Sequence, residues 1–132
     1  MTHATTGKTP LSPRLADDFE GLSIALAPRE TLASPLVIHG VFRIPWPEAD
    51  RLGPSLHRLL VLVVNGLDRV TTVAPFREQV LFPDDETPGR AGRQGYFNLD
   101  VRALTGPLPA RSPFARVSLG PFVSNALPIE DR

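Results

Sequence analysis

The 132-residue chain has no cysteine. That excludes disulfides, thiolate-held metals and a cysteine nucleophile. It has one lysine, Lys8, among its 14 basic residues, the arginine-heavy bias expected of a GC-rich bacterial genome. It also lacks net charge: 14 basic side chains meet 14 acidic ones. A neutral chain with scattered arginines has no electrostatic footprint for a phosphate backbone, so nucleic acid is not an expected partner. Long hydrophobic runs are missing too. The longest, Leu59 to Val64, is far short of the ~20 residues a membrane-spanning helix needs, so no membrane partner is expected. Met1 to Lys8 carries no apolar run of the kind a secretory leader has. The expected location is therefore cytoplasmic, with export after removal of a signal left open.

What the chain does contain is turn chemistry. Fifteen prolines and ten glycines are spread along it, as suits many short strands joined by turns. Asn65-Gly66 is the sharpest signal. It lies between Leu59–Val64 and Leu67–Val73, and Asn-Gly between two β-prone runs predicts a hairpin whose turn needs positive φ. A two-residue loop would set Leu62 opposite Arg69, and a longer one Val63 opposite Val70. Residues 1–18 read as a flexible N-terminal arm, and 19–132 as a single β-sandwich domain.

Alternation and breakers predict strands over Leu22–Ala27, Leu36–Ile44, His57–Val64, Leu67–Val73, Phe76–Phe82, Gly95–Ala103, Phe114–Leu119 and Phe122–Ile129. The run His57–Val64 is apolar on both faces, as in a central strand covered on both sides. Leu60, Leu62, Phe97, Leu99 and Val101 are expected in the core. The fold class is all-β: an antiparallel β-sandwich of about seven to eight strands. The ending Phe114 to Ile129, with its Ser124-Asn125 step, resembles the last two strands of immunoglobulin-like and fibronectin-like modules. The resemblance implies that architecture over about a quarter of the chain. The Cys-Trp-Cys core of true immunoglobulin domains is absent.

Candidate chemistry is sparse. His3, His39 and His57 show no His-x-His or His-Glu-x-x-His spacing, and a lone histidine on a strand reads as a surface or half-buried residue. Asp84-Asp85-Glu86 offer oxygens to a hard cation but lack an EF-hand spacing, which favours a solvated turn. No serine lies in Gly-x-Ser-x-Gly. The stretch Gly89 to Gly95 lacks the Lys-Ser/Thr of a phosphate loop and reads as a mobile hairpin loop. Trp46, between Pro45 and Pro47, suits contact with a protein or a sugar ring, or else plugs the open end of the sandwich. The segment Phe76–Phe82, carrying Val80, offers backbone and apolar side chains to a partner strand if it lies at an edge.

The expected function is a non-catalytic interaction module that binds a protein partner or forms a homodimer, without metal or organic cofactor. Trp46, Asp84, Asp85, Glu86 and Val80 are the candidate contact residues. One alternative is a small-molecule or carbohydrate binder using the end loops. Another is an enzyme assembled from separated residues such as His39, His57 and Asp100.

Overall fold

The structure is a computed structural model that describes residues 3–28, 35–108 and 113–129. Its strands are β1 (Ala4–Thr6), β2 (Gly21–Leu26), β3 (Val37–Pro45), β4 (Leu60–Asn65), β5 (Val70–Val73), β6 (Glu86–Pro88), β7 (Gly92–Asp100), β8 (Phe114–Leu119), β9 (Phe122–Val123) and β10 (Leu127–Pro128). They pair into two antiparallel sheets. One runs β1-β7-β3-β2, with β6 also on β7; the other runs β10-β8-β4-β5, with β9 also on β8. Two five-residue helices, α1 (Glu48–Leu52) and α2 (Val101–Thr105), and two single 3-10 turns at His57–Leu59 and Pro83–Asp85 complete the described elements. Of the described residues, 43% are strand and 14% helix, an all-β, sandwich-like arrangement.

Period-2 alternation puts one side of each long strand into a shared core. Ile38, Phe42 and Ile44 of β3 and Phe97 and Leu99 of β7 join Leu60, Leu62 and Val64 of β4 and Ala115, Val117 and Leu119 of β8 in one buried cluster. Leu60, Leu62, Phe97, Leu99 and Val101 are all fully buried. Gly40 pairs with Phe97 across β3 and β7. A Cβ at Gly40 would run into the Phe97 ring, so this strand position has to be glycine.

Several local expectations change. The Asn65-Gly66 hairpin forms, but Asn65 stays in the strand, paired with Val70 on one side and Phe114 on the other. Gly66 to Arg69 make the loop, closed by Gly66 N–H donating to the Arg69 carbonyl at 2.9 Å. Leu62 therefore faces Val73 and Val63 faces Thr72, a register neither loop length predicted. Two partners for Asn65 extend β4 by one residue past the expected turn. On β4, Leu60, Leu62 and Val64 are buried, while Val61 and Val63 on the outer face are only half-buried.

Phe76–Phe82 is not a strand. Successive turns, Arg77 N–H to Ala74 O and Gln79 N–H to Phe76 O, curl the chain around Phe76, which is fully buried. Once the chain bends to sink that one ring, Val80 and Phe82 are left at the surface, 78% and 66% exposed. β7 ends at Asp100, whose carboxylate accepts Ala103 N–H and starts α2, so Ala103 is helical. Phe122–Ile129 is split into β9 and β10 because the Asn125 side chain turns to the other sheet: it accepts Ile24 N–H at 2.9 Å and donates to Ile24 O at 3.1 Å. These two bonds satisfy Ile24 on the outer edge of β2 as a neighbouring strand would.

The N-terminal residues read as an arm are docked where they are described. β1 pairs with β7 through Ala4↔Leu99, Thr5↔Asn98 and Thr6↔Phe97. Because β1 and β2 lie at opposite edges of their sheet, residues 7–20 cross its outer face.

Candidate functional site

Three short segments meet at one end of the sheets: the turn before β4, the start of β6 and the middle of β7. The turn buries the His57 ring completely. Its Nδ1 lies 2.8 Å from Glu86 Oε2, and its Nε2 lies 2.9 Å from the Tyr96 carbonyl oxygen. Both partners are acceptors, so both ring nitrogens donate, the pattern of a doubly protonated imidazole. Glu86 also accepts the Leu56 N–H on Oε1 at 3.1 Å and the His57 N–H on Oε2 at 2.9 Å. One carboxylate thus binds two backbone donors and a ring donor of the same turn.

Burial by itself raises the Glu86 pKa. The hydrogen bonds from the His57 ring, the His57 N–H and the Leu56 N–H, with the charge on His57, outweigh it and leave the group below its ordinary 4.5. Arg93 Nη1 stands 4.0 Å from Glu86 Oε1 and donates to the Gly53 carbonyl at 2.7 Å. Its guanidinium lies 5.4 Å from the centre of the Trp46 ring, within cation–π range. The indole Nε1–H in turn donates to Gly89 O at 2.9 Å.

Aromatic packing fixes the imidazole. Phe42 and Phe76 meet it edge-on, with centroids at 5.0 and 5.2 Å. Gly95 makes room: a Cβ there would lie 2.7 Å from Phe42 Cζ and 2.8 Å from His57 Cε1. A general base needs a ring nitrogen that a substrate can reach and that has a free lone pair. This ring offers neither. What the arrangement does is tie β6, β7 and the turn before β4 together through a buried ion pair.

Of the residues singled out by sequence, Trp46 and Glu86 are linked through Arg93. Trp46 is half-buried against the core. The three adjacent acids part company. Asp84 is exposed. Asp85 accepts Phe82 N–H at 2.8 Å and the Thr6 hydroxyl at 2.7 Å. The Phe82 hydrogen bond does most to lower its pKa; slight burial opposes this, and Thr6 and the His57 charge add to the lowering. Among the described residues no group of three or more His, Cys, Asp or Glu side chains is placed to hold a metal ion. His39, His57 and Asp100 do not converge: His39 Nδ1 meets Asn98 Oδ1 at 2.7 Å, and Asp100 caps α2.

Val80 lies in the most exposed apolar segment of this end. Two grooves flank it. One of about 260 Å³ lies between Ala4–Thr6, residues 79–82 and Asp85. The other, about 320 Å³, is lined by Pro54, Ser55, Arg58, Leu81, Phe82, Pro83 and Glu86. Arg93 was not identified by sequence reasoning as a site residue, and Phe82 entered only as the end of the apolar segment offered to a partner strand. A signal for Phe82 was present, since it ends an apolar Val-Leu-Phe run just before Pro83.

No protein-family model, curated protein or solved structure matches the chain. No helix among the described residues is long and apolar enough to cross a membrane.

Proposed function

We propose that the protein is a non-catalytic interaction module of immunoglobulin/fibronectin-like architecture, and that it binds another protein chain through residues 79–82. The strand order supports the architectural reading. β2-β3-β7-β6 follows the A-B-E-D order of such modules, and β5-β4-β8 with β9 follows C′-C-F-G.

One observation carries the functional reading: Val80 and Phe82 are 78% and 66% exposed, side by side, with a groove on either flank. Large apolar side chains grouped on a surface mark a contact site more often than chance. The segment is held in place from behind. Leu81 packs on the core, Gln79 donates to Ala4 O at 2.9 Å, and Asp85 caps Phe82 N–H. A contact surface fixed in this way loses little entropy on binding.

The test compares the wild-type chain with a V80D/F82D variant whose fold is checked by circular dichroism. The wild type is expected to purify from its native cell in a stoichiometric complex, with another chain or with itself, and the variant to be released from it. A wild-type chain that stays single, with nothing bound in stoichiometric amount, contradicts the proposal.

A further inference from the structure

We propose that the N-terminal segment, β1 with residues 7–20, exchanges between two copies of the chain, so that β1 of each copy pairs with β7 of the other. This uses a different surface from residues 79–82 and stands independently of that reading.

The segment is attached by polar contacts. Of its described residues only Ala4 is buried, and Leu11 is 50% exposed. Asn98 Nδ2 donates to Gly7 O at 3.1 Å, and Thr9 Oγ1 lies 3.3 Å from His39 Nδ1. The Arg43 guanidinium donates to the carbonyls of Ala16, Asp17 and Phe19. The slot beneath is different. Val41 on the outer face of β3 is fully buried and His39 is 8% exposed, and no described strand or helix other than the crossing segment lies over them. An empty slot therefore exposes apolar area and leaves the Phe97–Leu99 stretch of the β7 edge unpaired.

The occupant that fits is the same segment of a second copy. It brings the same strand register, the same carbonyls for Arg43 and the same hydroxyl for His39. It also meets no charge barrier, because the chain is neutral. Each hydrogen bond that opens within one chain re-forms between two, the usual basis of domain swapping. Only the hinge distinguishes the closed from the exchanged form. It lies at Gly21, which enters β2 with φ +96°. A Cβ at Gly21 would meet nothing closer than Phe122 Cδ1 at 3.9 Å. An alanine there fits sterically and is opposed only by the left-handed backbone.

Two readouts test the exchange. The chain has no cysteine, so T5C and N98C chains each carry a single thiol, at positions that face each other across β1 and β7. Mixed at high concentration and then oxidised, they are expected to give a T5C–N98C disulfide dimer well above the T5C–T5C and N98C–N98C products. The second readout needs no thiol and so remains valid if N98C loosens the segment. With about tenfold relieved at each of the two hinges of a dimer, G21A is expected to raise the dimer association constant by about a hundredfold in light scattering. If no mixed product exceeds the two homodimer backgrounds and G21A keeps the monomer mass at every concentration, the exchange is overturned.

Discussion

His57 and Glu86 are separated by 29 positions in the chain, and His57 Nδ1 lies 2.8 Å from Glu86 Oε2. The contact joins the turn that leads into β4 with the first residue of β6. Glu86 at the same time satisfies two N–H groups of that turn, which would otherwise be buried without partners. The pair is therefore a clasp between elements of the two sheets.

The clasp makes acid stability depend on Glu86. Its carboxyl titrates below its ordinary 4.5 in the folded chain. The stability it contributes is complete above that value and is lost as pH falls through the folded one. Denaturant unfolding of the wild type should show stability dropping on acidification below 4.5, with E86Q showing a shallower drop. At neutral pH, E86Q should cost about 1–3 kcal/mol, since glutamine keeps an acceptor but loses the charge. Equal acid slopes for both proteins would count against this role.

Removing only the imidazole should be worse than exchanging both partners. H57L leaves the Glu86 carboxylate buried, with Arg93 4.0 Å away, and should cost about 3–5 kcal/mol. H57L/E86Q removes the stranded charge while retaining an acceptor for one of the two N–H groups, which bind different oxygens of Glu86. Unfolding free energies should therefore rank the double variant above H57L. The reverse ranking would mean that the carboxylate is not the group left stranded.

Gly95 holds the space in which Phe42 and His57 meet. G95A places a methyl group 2.7 Å from Phe42 Cζ and 2.8 Å from His57 Cε1. Overpacking of this kind should cost on the order of 1–3 kcal/mol and displace the ring from the Tyr96 carbonyl. The His57 Nε2 proton, held on the Tyr96 carbonyl at 2.9 Å, is expected to give an NMR signal in the wild type that shifts or broadens in G95A. An unchanged proton and an unchanged unfolding midpoint would show that the neighbours give way freely.

The long strands were legible because alternation reports which face is buried. Phe97 and Leu99 follow from that pattern, and both are fully buried. Single anchors were not legible. Phe76 belongs to no alternating run that survives folding; burying its ring curls the chain and exposes Val80 and Phe82. Glu86 has the same chemistry as Asp84 and Asp85 in sequence, and only the pairing of β6 with β7, Glu86 opposite Gly95, brings it to His57. The docking of β1 was hidden for a similar reason. Three residues of Ala and Thr carry too little pattern to announce a strand, and their place is set by the free edge of β7.

Position-specific photo-crosslinking puts the contact surface at residues 79–82 to its sharpest test. A photoreactive phenylalanine analogue is placed in separate chains at Val80, Phe82, Val70 and Val123. All four positions are strongly exposed, at 78%, 66%, 60% and 59%, so accessibility alone predicts adducts at each of them. After irradiation in the native cell, a contact surface at this segment gives discrete protein adducts at Val80 and Phe82 and only background at Val70 and Val123. Equal yields at all four positions, or adducts confined to Val70 and Val123, would refute it.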